Sequence, residues 1–227
     1  MLPSPEAPGA SAPGAARRVL IAGASGLVGR ELLRAVLDDP AVATVHALGR
    51  RTLPLRHPKL IQHEVDFAAL PALPPVDDVF VALGTTIKAA GSQAAFRKVD
   101  FDAVVAVARA ARAAGATRLG VVSAMGADAA SRVFYSRVKG EAEAALAALG
   151  FGTLVIARPS LLVGDRPALG QPQRAGEEIG LKVSRWLGPL IPANYRPITA
   201  AAVARSLLRA VRQTQGRRVL PSGEMQA

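Results

Sequence analysis

No cysteine occurs in the 227 residues. Disulfide scaffolds, thiol catalysis and cysteine-ligated metal sites are excluded with it. Histidine is nearly as scarce. His46, His57 and His63 are the three in the chain, none at the spacing of a helical metal-binding pair, so no metal site is expected. Aromatic residues make up 4% of the chain, and nothing interleaves them with basic residues as RNA-binding surfaces require. Acidic residues are in deficit, 17 against 28 basic ones, which leaves a net charge of +11. Of the basic residues 23 are Arg, and their longest runs are pairs: Arg17–Arg18, Arg50–Arg51, Arg97–Lys98 and Arg217–Arg218. Such dispersed charge suits a small anionic ligand, and no nucleic-acid partner is expected.

Long hydrophobic runs are also missing. The longest apolar region, residues 101–116, is interrupted by Asp102, Arg109 and Arg112, short of the roughly 20 residues a spanning helix needs. No membrane partner is expected. Residues 1–16, rich in Pro, Ala, Gly and Ser, lack the basic start and apolar core of a secretory signal. They are expected to form a disordered tail, and the protein to be cytoplasmic. Either a monomer or a homo-oligomer is compatible with the sequence.

What is present is half apolar, enough to pack a core. Buried-strand runs alternate with helical patterns. Strands are expected at 18–22, 44–48, 60–65, 78–83, 118–123 and 153–157, with a last one at 218–220. Helices are expected at 27–37, 92–114, 131–149 and 200–212, the second and third stopped by Gly115 and Gly150. Uniformly apolar strands separated by helices mean a parallel sheet covered on both faces. The fold class is α/β: a Rossmann-type, doubly wound sheet of about seven strands in the order 3-2-1-4-5-6-7, making residues 17–227 one nucleotide-binding domain. Residues 161–198, with five Pro and five Gly in irregular pieces, are expected to form a small substrate-side cap.

The first strand runs directly into Gly23-Ala-Ser25-Gly26-Leu27-Val28-Gly29, which opens the first helix. Glycines there let the backbone turn tightly and approach a pyrophosphate, which the helix N-terminus meets with free N–H groups and the positive end of its dipole. The competing reading is a tight turn with no ligand. The second strand ends at Gly49-Arg50-Arg51, where an NAD-preferring site would carry Asp or Glu for the ribose 2′-hydroxyl. Guanidinium groups match a 2′-phosphate instead, so the expected cofactor is NADP(H); a solvated arginine pair is the alternative.

Tyr135-Ser-Arg-Val-Lys139 lies in an expected helix, and a spacing of four puts both side chains on one face. Carbonyl reduction needs a proton donor beside the oxygen that gains charge. A phenol, with an ordinary pKa of about 10, becomes a workable donor when an ammonium favours its ionised form. A half-buried Tyr beside a snorkelling Lys is the structural alternative.

The G-x-x-G-x-x-G spacing, the Y-x-x-x-K pair and the stretches L-G-R-R, V-D-F, L-G-T-T, F-R-K-V-D, S-A-M-G-A-D and R-P-S-L-L-V-G-D-R together resemble the atypical short-chain dehydrogenases/reductases, in the group typified by the HIV Tat-interacting protein. The resemblance spans roughly residues 18–212. It implies NADP(H) binding and several site residues. Asp66, with Phe67 beside it, would face the adenine amine, although Asp66 also suits a cap of the segment that follows. Leu83, Gly84, Thr85 and Thr86 would pass beside the adenine ribose. Arg158, Pro159, Ser160 and Leu161 would run near the nicotinamide. Tyr135 would be the general acid/base, Lys139 would tune it and bind the ribose, and Ser123 would orient the substrate oxygen. The group's usual Ser-Ser pair is Ser123-Ala124 here, so register decides whether that hydroxyl reaches the substrate. Two functions follow: an NADP(H)-dependent oxidoreductase acting on a carbonyl or hydroxyl of a small molecule, or an NADP(H)-binding redox sensor with little turnover.

Overall fold

The computed structural model describes residues 16–163 and 192–226. Residues 1–15 of the expected tail and 164–191 of the expected cap lie outside them. Seven strands form one parallel sheet: β1 (Arg17–Ala22), β2 (Val42–Gly49), β3 (Leu60–Glu64), β4 (Asp78–Val81), β5 (Arg118–Val122), β6 (Thr153–Arg158) and β9 (Gly216–Pro221). Their spatial order is β3-β2-β1-β4-β5-β6-β9, the expected doubly wound arrangement. The two-stranded parallel ribbon of β7 (Leu162–Val163) and β8 (Ile198–Thr199) brackets the undescribed segment.

Alternation along each strand feeds two cores. On β1, Val19 and Ile21 face α1 (Leu27–Leu37) and α6 (Ala200–Gln213), meeting Leu32, Val36, Val203 and Leu207. Leu20 and Ala22 face the opposite side, toward α4 (Val104–Ala113) and α5 (Phe134–Ala147) with Val104, Val107, Ala111 and Leu146. At the amino ends of β1 and β4, Arg17 pairs with Asp78, and Arg18 pairs with Asp77 at 2.8 Å. Ligands in sheets of this kind bind at the opposite, carboxyl ends of the strands.

The expected helix over 92–114 begins at its Ser92 cap as expected and changes helix type along its length. A short α2 (Ile87–Ala90) stops at Gly91, whose φ of 84° is left-handed. Ser92 then caps α3 (Gln93–Arg97) by accepting from the Ala95 N–H. A π-helical turn, Lys98–Ala103, joins α3 to α4. The expected start of the third long helix at Ser131 moves to Phe134. Asp128 accepts from the Ala130 N–H and Ser131 from the Val133 N–H, so local side-chain bonds hold this stretch in a turn.

Candidate cofactor and active site

The glycine turn occupies the gap between β1 and β4, where the strand order reverses. Gly23 has φ 93°, and a Cβ there would lie 2.6 Å from the Ala82 carbonyl oxygen. At Gly29 a Cβ would sit 2.0 Å from the Gly23 oxygen. Both glycines are demanded by the fold itself. Gly26 is different. Its φ of −84° and ψ of 170° suit any residue. The nearest atom to an added Cβ is 3.4 Å away, an ordinary contact. Gly26 is also the N-cap of α1 and supplies no side-chain cap, where Ser, Thr or Asp would normally satisfy an amide. Exposed Ser25 and the Leu27 and Val28 amides therefore frame an open, electropositive helix end, while the Val28 side chain is buried below it. That cradle fits a pyrophosphate.

Arg50 and Arg51 follow β2 directly, are exposed, and make no ion pair among the described residues. Beyond β3, the exposed Asp66 accepts from the Ala68 N–H at 2.9 Å and closes a turn, with Phe67 half-buried beside it. After β4, Leu83 and Gly84 lead to Thr85, whose N–H donates to Asp100 at 2.9 Å, and to Thr86, which caps α2.

Tyr135 and Lys139 lie one turn apart on α5, as expected from their spacing. The Tyr135 ring packs on Phe96 with centroids 5.3 Å apart. Lys139 is 6% exposed, and its Nζ lies 2.8 Å from Asp100 Oδ1 on the π-helical turn. A Cβ on Gly84 would be 3.4 Å from that same carboxylate oxygen and 3.8 Å from the ammonium. The turn after β4 thus lies directly against the ion pair. Asp100 balances the charge of the buried ammonium where the two side chains meet.

Ser123 is buried at the end of β5, and its hydroxyl donates to Glu143 Oε1 at 2.5 Å. Arg158, closing β6, donates to both oxygens of the same carboxylate, from Nε at 3.0 Å and Nη2 at 2.6 Å. Hydrogen bonding to Glu143 raises the Arg158 pKa above its already high ordinary value; burial opposes the shift, and the charges of Glu143 and Asp128 assist it. Pro159 is buried, and Ser160 and Leu161 lead into β7. The structure therefore gathers Ser123, Tyr135, Lys139 and Arg158 around the carboxyl ends of β4, β5 and β6, and Arg50, Arg51 and Asp66 around those of β2 and β3. It adds two residues that sequence reasoning left without a role. Asp100 belonged to a quoted stretch, F-R-K-V-D. Glu143 stands four residues after Lys139, a spacing that carries it to the same face of α5.

A family model described as NAD(P)H-binding matches residues 23–186. The chain belongs to this NAD(P)H-binding family. Within it, the chain falls in the atypical short-chain dehydrogenase/reductase group. The protein HTATIP2 of Rattus norvegicus is 35% identical over 199 residues, covering 85% of this chain and 80% of that protein. The mitochondrial protein fmp52 of Emericella nidulans is 36% identical over 159 residues, covering 65% and 68%. Among solved structures, a Burkholderia thailandensis oxidoreductase of the short-chain dehydrogenase/reductase family superposes with a TM-score of 0.66 at 20% identity, covering 93% of each chain. MoeE5 in complex with UDP-glucose and NAD superposes with 0.65 at 19% identity, covering 89% of this chain and 75% of that one. At such identities these two show the fold.

The cytoplasmic expectation is overturned. The similar fungal proteins, from Emericella nidulans, Aspergillus fumigatus and Candida albicans, are named as mitochondrial. The expectation rested on a missing apolar signal, which bears on secretion alone; transit peptides for mitochondria are amphipathic and Arg-rich and need no such core. Among the described residues no helix is long and apolar enough to cross a membrane.

Proposed function

We propose that the protein is an NADP(H)-dependent oxidoreductase acting on a carbonyl or hydroxyl group of a small molecule, with no nucleic-acid or membrane partner. The observation that carries this reading is the placing of Tyr135 and the buried Lys139 on α5 at the carboxyl edge of the sheet, across the switch point from an uncapped glycine cradle. The exposed Arg50–Arg51 pair supports the 2′-phosphorylated cofactor. Leu27, Val28, Gly84, Thr85 and the 158–161 segment complete the wall that would hold it. When bound, the reduced nicotinamide supplies hydride. Tyr135 gives its phenolic proton to the substrate oxygen as charge builds there, and the Lys139 ammonium stabilises the phenolate left behind. Ser123 can donate to that oxygen once its hydroxyl turns away from Glu143.

The same geometry favours a second reading. Lys139 is paired with Asp100, and the Ser123 hydroxyl donates to Glu143. A protein held in that state binds NADP(H) without efficient turnover and acts as a redox sensor. Consumption of NADPH with a panel of aldehydes, ketones and quinones separates the two. The enzyme reading expects turnover that falls about 10²–10⁴-fold in Tyr135→Phe while cofactor binding persists. Thermal stabilisation by NADPH with no consumption across the panel would establish the sensor instead.

A further inference from the structure

Glu143 is a buried carboxylate for which neither hydride nor proton transfer has a use. It is 3% exposed, yet it receives three hydrogen bonds from the carboxyl ends of two neighbouring strands: one from Ser123 just after β5 and two from Arg158 at the end of β6. Burying a carboxylate costs desolvation that an apolar contact would avoid, and what an ion pair supplies in exchange is fixed geometry. Here the geometry fixed is that of two loop starts. The Ser123 N–H donates to the Ala157 carbonyl at 2.8 Å, and the Met125 N–H to the Pro159 carbonyl at 3.0 Å, so the loops leave the sheet side by side. Beyond Pro159, Ser160 donates to the Arg196 carbonyl at 2.5 Å and accepts from Ser222 at 2.9 Å. The segment from Arg158 to Ser160 is thus held from α5 on one side and from the β8 and β9 ends on the other.

A dinucleotide bound at this kind of switch point lies across it, one half over each set of strands. The glycine cradle and Arg50–Arg51 assign the adenosine half to β1 and β2. The other half then lies over β4, β5 and β6, whose ends Glu143 ties together. Glu143 also stands one turn beyond Lys139 and two beyond Tyr135 on α5. We propose that Glu143 is a positioning residue that locks the nicotinamide side of the site, coupling the helix that carries Tyr135 to the loops after β5 and β6. The inference rests on the NAD(P)H reading above.

The test compares whole cofactor with its adenosine half. Wild type, Glu143→Gln and Ser123→Ala are titrated calorimetrically with NADPH and with adenosine 2′,5′-bisphosphate, and the emission of bound NADPH is recorded. Glu143→Gln should weaken NADPH by roughly 2- to 30-fold and change the bound emission, while the adenosine fragment binds as to wild type. Ser123→Ala removes one of the three bonds and keeps the Arg158 pair, so it should move the same way by less. It carries the test if Glu143→Gln fails to fold. Equal losses for cofactor and fragment, or no loss for either, would mean a structural strut and overturn the proposal. The same comparison with NADH and adenosine 5′-monophosphate separates a wrong assignment of the 2′-phosphate site, seen as wild-type preference for NADH, from failure of the lock. Wild type that binds none of these ligands overturns the cofactor reading and the proposal together.

Discussion

Replacing Gly26 by Ala separates ligand from scaffold in the glycine turn. The backbone at Gly26, φ −84° and ψ 170°, is ordinary extended geometry. An added methyl would meet the Gly23 oxygen at 3.4 Å and the Ala82 oxygen at 4.0 Å, both ordinary contacts. Ala is a poorer N-cap than Gly by up to about 1 kcal/mol. Against that, a Gly-to-Ala change at a compatible position stabilises by about 0.4–1 kcal/mol through the unfolded chain. The two nearly cancel, so the melting temperature of the free protein should move by no more than about 2–4 °C. Cofactor binding should not survive as well, because the methyl occupies the space a phosphate needs to reach the α1 amides. Losing one charge-assisted hydrogen bond costs about 1.5–3 kcal/mol, roughly one to two decades in affinity. At a hundredfold excess over Kd, NADPH should stabilise wild type by about 2.7 kcal/mol, which for a chain of this size is about 5–11 °C. A hundredfold weaker Kd leaves about 0.4 kcal/mol at the same concentration, or roughly 1–2 °C. Melting curves with and without NADPH, and calorimetric titration, check both halves. Gly29→Ala is the contrast: its methyl would lie 2.0 Å from the Gly23 oxygen, so it should lose about 1–3 kcal/mol with no ligand present. A folded Gly26→Ala protein with the full wild-type NADPH shift would refute the assignment of this turn as a phosphate cradle.

Replacing Arg50 and Arg51 by Ala should reduce any preference for NADPH over NADH by about one to two decades; an unchanged ratio of the two dissociation constants would remove the arginines from cofactor choice. Asp100→Ala leaves the buried Lys139 ammonium unpaired and the Thr85 N–H without its acceptor, so chemical denaturation should report a loss of about 3–5 kcal/mol; a loss under about 1 kcal/mol would show that the ion pair carries little stability. His46, buried beside His63 with ring nitrogens 3.0 Å apart, has its pKa lowered by burial first, then by His63 and Arg18. The unfolded chain therefore takes up that proton more readily than the folded one. The stability difference is absent above the unfolded value of about 6.5 and grows as pH falls below it, so denaturation midpoints should drop on acidification and His46→Gln should flatten that slope. Identical slopes in the two proteins would assign the acid sensitivity elsewhere.

Much of this molecule is local in origin. The strand runs, the helical spacing over 27–37, the glycine turn and the Tyr135–Lys139 pair each depend on residues a few positions apart, and backbone geometry converts such spacing directly into shared faces and turns. The order of the sheet follows from the alternation of strands and helices with right-handed crossovers. Where local signals competed, the sequence was less legible. The helical pattern over 92–114 gave no sign of the π-helical turn at 98–103 inside it. Asp128 and Ser131 turned the expected first turn of α5 into a loop.

The amino-acid sequence by itself determined that a glycine turn would open the first helix, that two arginines would follow the second strand, and that a phenol and an ammonium would share one face of α5. Only the tertiary structure decided what those groups meet. Lys139 finds Asp100 because a π-helical turn brings that carboxylate under the loop after β4. Ser123 and Arg158 find Glu143 because parallel strands end side by side and α5 packs across them. Partners far apart in sequence are chosen by the packing of whole elements, and buried charges then pair because the cost of leaving them unpaired inside the protein exceeds that of almost any local alternative.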